Sequence, residues 1–285
     1  MKFATFSKQG RFGIGVVDGG SIHGWLEDHP AYPGPLETLV ASGADALRAA
    51  GSEMARQGEL FALDSVHIEP PLRRAPKIIC VGLNYVDHTS ETGFVQPEYP
   101  TLFARFSSSL TGPYDRLALS PLSAEFDFEG ELAVVIGRGG RHIPKADALN
   151  HVIGYSVFND ASYRDYQFKS PQWTAGKNFD ETGVFGPYLV TADELPAGCK
   201  GLVLETWLNG QSVQHALIDD MVFDVATLIH ILSEFMTLEA NDIIVSGTPS
   251  GVGMARSPKL WMKHGDVVEV EISNVGRIRN TVVAV

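Results

Sequence analysis

Apolar runs bounded by turn residues predict strands along most of the chain beyond residue 70. The runs are KIICVGLNY, LALSPL, ELAVVIG, VIGYSVFND, GPYLV, LVLETWLNG, DIIVSG, VVEVEIS and RNTVVAV. One predicted helix, DVATLIHILSEFMTL, interrupts them, with Asp224 as its predicted N-cap. Many strands with few, unevenly spread helices favour an α+β fold with a large mixed sheet over regular βαβ repeats.

The first 70 residues have a pattern of their own. The short predicted strands GIGVV and SIHGWL flank DGG, a hairpin turn signal. The stretch PLETLVASGADALRAAGSEM has its apolar residues at helical spacing, and the three prolines of IEPPLRRAPK mark a linker. We therefore predict a small N-terminal α+β domain over residues 1–70 and a larger domain over residues 71–285.

Four acidic residues occupy alternate positions at the start of one predicted strand, SAEFDFEGELAVVIG, residues 123–137. They are Glu125, Asp127, Glu129 and Glu131, and side chains two residues apart on a strand point to the same face. A solvated edge strand is the ordinary explanation for such a row, because its charges deter aggregation. The residues that follow are apolar on both faces, however, which is typical of a buried strand.

Carboxylates that lie near a core must be neutralised or paired. A divalent cation beside Glu129 and Glu131 would do this, and Gly130 between them leaves room for a close approach to the backbone. Oxygen ligands alone favour Mg²⁺, Mn²⁺ or Ca²⁺ over zinc. Two glutamates make a poor site, so a third carboxylate is needed, and the best candidate is Asp160 in VFNDAS, at the end of an apolar strand.

Further polar groups lie in three other stretches. In VGLNYVDHTSETG, His88 and Glu91 are three residues apart and would share one side of a helical turn. Such a pair makes a water-activating base, although a surface pair on a loop is the commoner case. Lys177, in the polar stretch 159–180, offers a cation for a carboxylate or an oxyanion. The loop SGTPSGVG offers hydroxyl and N–H groups for an anion-binding nest, without the Gly-Lys-Ser/Thr ending of a P-loop.

The bulk composition excludes several classes of protein. The chain has 285 residues, 44% of them hydrophobic, and a net charge of -12, which argues against a nucleic acid or an anionic membrane as partner. Its two cysteines are too few for a disulfide framework. The sequence has neither a signal-peptide apolar region nor about 18 consecutive apolar residues that could span a bilayer. We expect a soluble cytoplasmic protein.

The same stretches, taken in order, resemble the fumarylacetoacetate hydrolase family. The matching pieces, which all lie within residues 77 to 253, are GLNYVDHTSETG, DFEGELAVVIG, GYSVFNDASYRDYQ, QWTAGKNFD, GP and SGTPSGVG. The short N-terminal module also resembles the one that many bacterial members carry. The resemblance implies a mixed β-roll catalytic domain, a homodimer and a site for Mg²⁺ or Mn²⁺, with Ca²⁺ as a substitute in crystals.

The resemblance also implies roles for individual residues. The metal ligands would be Glu129, Glu131 and Asp160, in agreement with the argument from the strand. Asp127 would support them, and the His88–Glu91 pair would activate water. The remaining implied contacts would bind substrate or its developing charge, and they are Lys177, Thr248, Gln172, Arg105 and Tyr163.

Two of these positions depart from the family pattern. Arg105 stands where many members have lysine, which keeps the charge but changes the donor geometry. Tyr163 replaces a usually small residue, and its phenol would narrow the pocket or contact the distal end of the substrate.

The resemblance implies hydrolytic cleavage of a C–C bond in an acylpyruvate- or fumarylpyruvate-like 1,3-dicarbonyl acid. The cation would stabilise the pyruvate enolate as it leaves, His88 oriented by Glu91 would deprotonate water, and Lys177 would stabilise the oxyanion. The nearest alternative is decarboxylation of oxaloacetate or another β-keto acid, followed by keto–enol isomerisation and by dehydration of a keto-deoxy sugar acid. A non-catalytic metabolite-binding protein and a structural protein with a solvated acidic strand stay open as other classes.

Overall fold

Strands contain more residues than helices in the structure, a computed structural model that describes residues 1–87, 91 and 97–285. In chain order the strands are Lys2–Lys8 (β1), Arg11–Asp18 (β2), Ser21–Leu26 (β3), Glu59–Ala62 (β4), His67–Ile68 (β5), Ile78–Gly82 (β6), Thr101–Arg105 (β7), Leu110–Thr111 (β8), Leu117–Leu119 (β9), Phe126–Asp127 (β10), Gly130–Ile136 (β11), Val152–Asp160 (β12), Ser162–Tyr163 (β13), Gly183–Thr191 (β14), Val203–Leu208 (β15), Gln211–Leu217 (β16), Ile243–Val245 (β17), Val267–Ile272 (β18) and Gly276–Ala284 (β19). The α-helices are Leu36–Ala41 (α1), Ala44–Gln57 (α2), Arg164–Gln167 (α3), Thr174–Lys177 (α4) and Val225–Phe235 (α5). The α+β class predicted from the sequence is the observed one.

Two sheets carry the fold. The larger has twelve strands in the order β4-β3-β2-β1-β14-β12-β11-β17-β6-β7, with β5 on β1 and β8 on β14. It is mixed, because β17 pairs antiparallel with β11 on one side and parallel with β6 on the other. The smaller sheet has five strands in the order β16-β15-β18-β19-β9.

The central strand β11 explains why its sequence is apolar on both faces. Every residue of β11 is buried, and β12 and β17 pair with its two edges. Leu132 and Val134 pack in a core shared with the five-stranded sheet and α5, whereas Ala133 and Val135 pack in a second core with α1 and α2. Alternate residues thus enter two separate hydrophobic cores.

The sequence pattern predicts one continuous strand through the acidic stretch before β11, but the structure does not have one. Phe126–Asp127 pairs with β13 as β10, and the chain breaks from regular pairing before β11 begins at Gly130. Asp127, Glu129 and Glu131 are buried, whereas Glu125 is partly exposed. The solvated edge-strand explanation therefore fails for the three buried acids.

The N-terminal strands extend the same large sheet. Strand β1 pairs antiparallel with β14, with Lys2 opposite Val190. The single helix expected in this region is two helices, α1 and α2, separated at Gly43, whose φ of +94° suits glycine. The division of the chain at residue 70 stays a prediction. In the part of the chain that is described, none of the helices has the length and apolar character to cross a membrane.

Asn84 lies just past β6 and joins it to two other segments. Its side-chain amide donates to the carbonyl oxygens of Phe223 (3.0 Å) and Ser246 (2.7 Å), and its Oδ1 accepts from the N–H of Phe223 (2.8 Å). Ser246 follows β17, and Phe223 precedes α5, whose predicted N-cap Asp224 accepts from the N–H of Thr227. One fully buried side chain thus holds the start of α5 against the ends of two parallel strands.

Asn84→Ala removes these three hydrogen bonds and leaves buried backbone groups unpaired. We expect a loss of about 2–4 kcal/mol in the free energy of unfolding, since each such group costs ~1–3 kcal/mol. Urea denaturation measures the loss. Asn150→Ala, at an exposed position, is the control and should stay within ~0.5 kcal/mol of the parent. Equal stabilities of the two variants would contradict this role of Asn84.

Candidate metal centre and active site

Three acidic side chains meet where β11 begins and β12 ends. The two strands run antiparallel with Gly130 opposite Asn159, so Glu129 and Glu131 flank the end of β12 that carries Asp160. One oxygen of each carboxylate lies within 4.8 Å of the others, and the three residues are 5%, 2% and 0% exposed. The triad predicted from the sequence is therefore a buried cluster of oxygen donors that fits a divalent metal ion.

Basic side chains compensate two of these carboxylates from both sides. Lys177 Nζ lies 2.5 Å from Glu129 Oε2 and 2.6 Å from Asp160 Oδ2, so one ammonium bridges the two residues. Arg164 Nη2 lies 2.6 Å from Glu129 Oε1, and Arg105 Nε donates to Asp160 Oδ1. All four oxygen atoms of Glu129 and Asp160 thus have a cationic partner, which is what burial of carboxylates requires.

Arg105 lies behind Asp160. Its other two nitrogens donate to the Oγ of Ser109 (3.3 Å), to Thr182 Oγ1 (3.2 Å) and to the carbonyl oxygen of Ala161 (2.6 Å), and its side chain is fully buried. A guanidinium offers several donors in a fixed fork, so these bonds anchor it and orient Asp160. Its predicted contact with substrate stays a prediction.

Among the described residues, Glu131 accepts a hydrogen bond from a backbone amide, whereas Glu129 and Asp160 contact basic side chains. The N–H of Gly247 donates to Glu131 Oε2 at 2.6 Å. Burial raises the pKa of Glu131 well above its usual value, and the charges of Asp160 and Glu129 raise it further. Burial opposes the charged form of Lys177, but the charges of Asp160 and Glu129 outweigh it and raise the pKa of the ammonium.

Asp127 holds Arg164 in place. Arg164 Nε donates to Asp127 Oδ2 at 2.9 Å, and the N–H groups of Gly253 (2.7 Å) and Met254 (3.0 Å) donate to the same carboxylate. Arg164 also donates to Gln167 Oε1 at 2.8 Å, one turn further along α3. From the sequence, no role is predicted for Arg164 or Gln167. Their spacing of three residues, which places two side chains on the same side of a helix, is the pattern that predicts this contact.

The loop SGTPSGVG donates its amides to carboxylates of the chain itself. Besides the bond from Gly247 to Glu131, the N–H of Gly251 lies 2.9 Å from both carboxylate oxygens of Glu91. With the N–H of Gly253, which binds Asp127, the loop contacts three separate acidic residues. These amides bind carboxylates of the chain itself at three separate points, so a single nest for an external anion stays a prediction.

Thr248, in the same loop, has a hydroxyl with two partners. Its Oγ1 donates to the carbonyl oxygen of Gly130 (2.9 Å) and accepts from Gln214 Nε2 (2.8 Å). Gln214 Oε1 in turn accepts from the N–H of Gly130 (3.0 Å). Thr248 lines the cavity above the triad, while its hydroxyl fixes the backbone between the two glutamates.

A cavity opens above the triad with a charged base and an aromatic wall. Its base is formed by Glu129, Glu131, Arg164, Gln167 and Lys177. Its wall includes Phe103, Phe168, Trp173 and Met254. The Trp173 ring packs directly on Gly82, where an added Cβ would lie 2.3 Å from a ring carbon, so only glycine allows this approach.

Two further residues predicted for the site, Tyr163 and Gln172, have other positions. The Tyr163 hydroxyl donates to the carbonyl oxygen of Ala118 (2.8 Å) and accepts from the N–H of Ser120 (2.6 Å). Gln172 is exposed, and among the described residues neither it nor Tyr163 lines the cavity. His88 lies outside the described residues. Substrate contacts of Tyr163 and Gln172 stay predictions.

Comparison with known proteins agrees with the resemblance read from the sequence. The model of the family described as fumarylacetoacetate (FAA) hydrolase C-terminal matches residues 77–283. Oxaloacetate tautomerase Fahd2a, mitochondrial, of Rattus norvegicus is 42% identical over 272 residues, which cover 95% of this chain and 85% of the relative.

Solved structures agree in fold over the whole chain. Fumarylacetoacetate hydrolase from Exiguobacterium antarcticum has a TM-score of 0.87 and 34% identity, with all of both chains covered. Maleylpyruvate hydrolase from Sphingobium sp. SYK-6, in complex with manganese (II) ion and pyruvate, has a TM-score of 0.81 and 28% identity, with 100% of this chain and 99% of that one covered. The predicted family fold is confirmed.

Glu131→Gln removes a carboxylate whose charged form is destabilised by burial in the folded protein. A carboxyl with a raised folded pKa binds its proton more tightly in the folded state, so its contribution to stability falls as the pH rises above 4.5. We therefore expect Glu131→Gln to raise the melting temperature of the metal-free protein at neutral pH by about 2–4 °C, the shift that ~1 kcal/mol gives in a large domain. Thermal unfolding in EDTA measures the change.

Glu125→Gln makes the same chemical change outside the triad and should leave the melting temperature unchanged. A lower melting temperature for Glu131→Gln than for Glu125→Gln would contradict the expected electrostatic cost.

Tyr163→Phe removes the hydroxyl that bonds Ala118 and Ser120. We expect a loss of about 1–2 kcal/mol in the free energy of unfolding, because two backbone groups lose a partner. Urea denaturation measures it, and calorimetry should find the Mn²⁺ affinity unchanged. Tyr166→Phe on α3 is the matched control, with little expected effect. An unchanged stability for Tyr163→Phe would refute the structural role.

Proposed function

Because the chain belongs to the fumarylacetoacetate hydrolase family, we propose that it is a metal-dependent enzyme of keto–enol chemistry whose substrate is oxaloacetate or a similar 2-oxo dicarboxylate. The observation that carries the proposal is the buried triad of Glu129, Glu131 and Asp160, whose two glutamates line a cavity together with Arg164 and Lys177. The relative at 42% identity is by name an oxaloacetate tautomerase, which favours this reaction over the others.

The donor set fits Mg²⁺ or Mn²⁺. Among the described residues the cluster offers three carboxylates and no nitrogen or sulfur ligand, which favours a hard cation. The maleylpyruvate hydrolase neighbour was solved with manganese, which supports the same choice. A bound dication would supply a Lewis acid that stabilises negative charge on the carboxylate and 2-oxo oxygens of the substrate.

The side chains around the triad suit a substrate with two carboxylates. Arg164 lines the cavity and could pair with the second carboxylate through its guanidinium, with Gln167 as a further donor beside it. Lys177 offers its ammonium to negative charge that develops on oxygen. We assign proton removal from the carbon next to the carbonyl to His88, with Glu91 as the group that orients it.

Hydrolytic C–C cleavage of an acylpyruvate is the second candidate. Glu91 accepts from the N–H of Gly251 and so lies beside the cavity loop, where a His88–Glu91 pair would activate water. The structural similarity to a maleylpyruvate hydrolase supports this candidate at lower identity. Decarboxylation of oxaloacetate would use the same charged residues at the bottom of the cavity. We also propose a homodimeric assembly and a cytoplasmic location.

Three assays separate these reactions. We expect the protein with Mg²⁺ or Mn²⁺ to accelerate the interconversion of enol and keto oxaloacetate, followed by the ultraviolet absorbance of the enol. Pyruvate release from oxaloacetate reports decarboxylation, and pyruvate release from acetylpyruvate reports hydrolysis. EDTA should abolish the activity, and Glu131→Gln should lower it by about 100-fold or more, since even groups that support metal ligands change activity by 10–100-fold.

Glu125→Gln is the control for these assays and should retain activity. His88→Ala, tested on all three reactions, identifies the one that needs the proposed base. Faster pyruvate release from acetylpyruvate than enol–keto interconversion would make hydrolysis the main activity. Full activity of Glu131→Gln would remove the metal triad from the reaction altogether.

A further inference from the structure

The carboxylate oxygens of the triad are shared unequally among three cations. Arg164 contacts one carboxylate oxygen of Glu129, and Arg105 contacts one carboxylate oxygen of Asp160. Lys177 contacts the remaining oxygen of both residues. A metal ion that uses Glu129 and Asp160 as ligands must therefore compete with the arginines or with Lys177.

The two arginines are anchored by further bonds. Arg105 donates to Ser109 Oγ, Thr182 Oγ1 and the carbonyl oxygen of Ala161. Arg164 donates to Asp127 and Gln167. Displacing either guanidinium would break several buried hydrogen bonds at once, and each buried group left unpaired is costly.

Lys177 is held in a different way. Within the described part of the chain, its ammonium donates to Glu129 and Asp160, so a metal ion that takes those two oxygens replaces both of these hydrogen bonds. Its ammonium is a point charge on a flexible stem, which can move where an anchored guanidinium cannot. The Phe103 ring, 4.9 Å from Nζ, lines the cavity and offers a face to the displaced ammonium.

We propose that Lys177 and the metal ion exchange places: the ammonium bridges Glu129 and Asp160 in the metal-free protein, and metal binding displaces it into the cavity. This inference rests on the metal site of the proposed function. Like charges so close together in a buried site repel strongly, so the ammonium and the dication cannot share the same two oxygen atoms without a large penalty. Metal binding thereby moves the Lys177 ammonium into the cavity, where it meets the negative charge of the substrate. Because the ammonium competes for the same carboxylate oxygens, Lys177 lowers the affinity of the site for the metal.

Lys177→Met separates the two roles of the lysine. In the metal-free protein we expect a lower melting temperature, because two buried carboxylates lose their shared cation. We expect the Kd for Mn²⁺, measured by titration calorimetry at neutral pH, to fall at least fivefold, because no ammonium competes. The rise in melting temperature on addition of Mn²⁺ should be larger than in the parent.

Lys77→Met is the matched control. Lys77 also bridges two acids, Glu239 and Asp242, at 2.6 and 3.0 Å, but it lies outside the triad. It should lower the melting temperature with and without Mn²⁺ alike and leave the Kd unchanged. Lys177→Gln, which keeps a hydrogen-bond donor without the charge, replaces Lys177→Met if that variant does not fold.

A crystal structure of the parent protein with Mn²⁺ gives a direct readout. The proposal expects Lys177 Nζ to leave Glu129 Oε2 and Asp160 Oδ2, with Arg105 and Arg164 unmoved. An unchanged or larger Kd in the uncharged variants, or an ammonium still bonded to both oxygens beside Mn²⁺, overturns the exchange alone. Failure of the parent protein to bind Mn²⁺ or Mg²⁺ at all overturns the proposed function as well.

Discussion

Compensation of buried negative charge is the constraint on which the centre of this protein depends. Asp127, Glu129, Glu131 and Asp160 are at most 5% exposed and lie within one region of the core. Arginine and lysine side chains compensate three of them, and backbone amides contribute to two. Because an uncompensated buried carboxylate is so costly, the positions of Arg105, Arg164 and Lys177 follow from those of the acids.

The fold supplies this compensation by bringing the ends of several strands together. The start of β11 and the end of β12 place the triad, and the loop after β17 adds its amides. The end of β7 supplies Arg105, and the short helices α3 and α4 supply Arg164 and Lys177. Two hydrophobic cores, one on each face of β11, keep water away from the strand that carries Glu131. The same packing that stabilises the sheet therefore also sets the low dielectric of the site.

This arrangement links stability to chemistry. Among the described residues, four buried acids face three basic side chains at this site, and this excess of acidic groups suits a divalent cation and an anionic substrate whose charge the basic side chains can meet. The proposed reactions of 2-oxo acids, tautomerisation, hydrolysis and decarboxylation, differ in which bond is broken. We expect the proposed catalytic base, His88, and the aromatic wall of the cavity to favour one of these reactions. The charged residues at the bottom of the cavity would serve all three.

The sequence alone determined the fold class, the buried central strand and the oxygen ligands of this protein. Apolar residues on both faces identified the buried strand, and oxygen donors at spaced positions identified Glu129, Glu131 and Asp160 as a cluster. Order of motifs along the chain identified the family. Only the tertiary structure decided which cation meets which oxygen, that the acidic row breaks before Gly130, and that loop amides bind the chain's own carboxylates. Lys177 and Glu129 are 48 residues apart, Arg105 and Asp160 55, and Gly247 and Glu131 116. Partners so distant are chosen by packing in three dimensions, because local spacing constrains only neighbours on the same strand or helix.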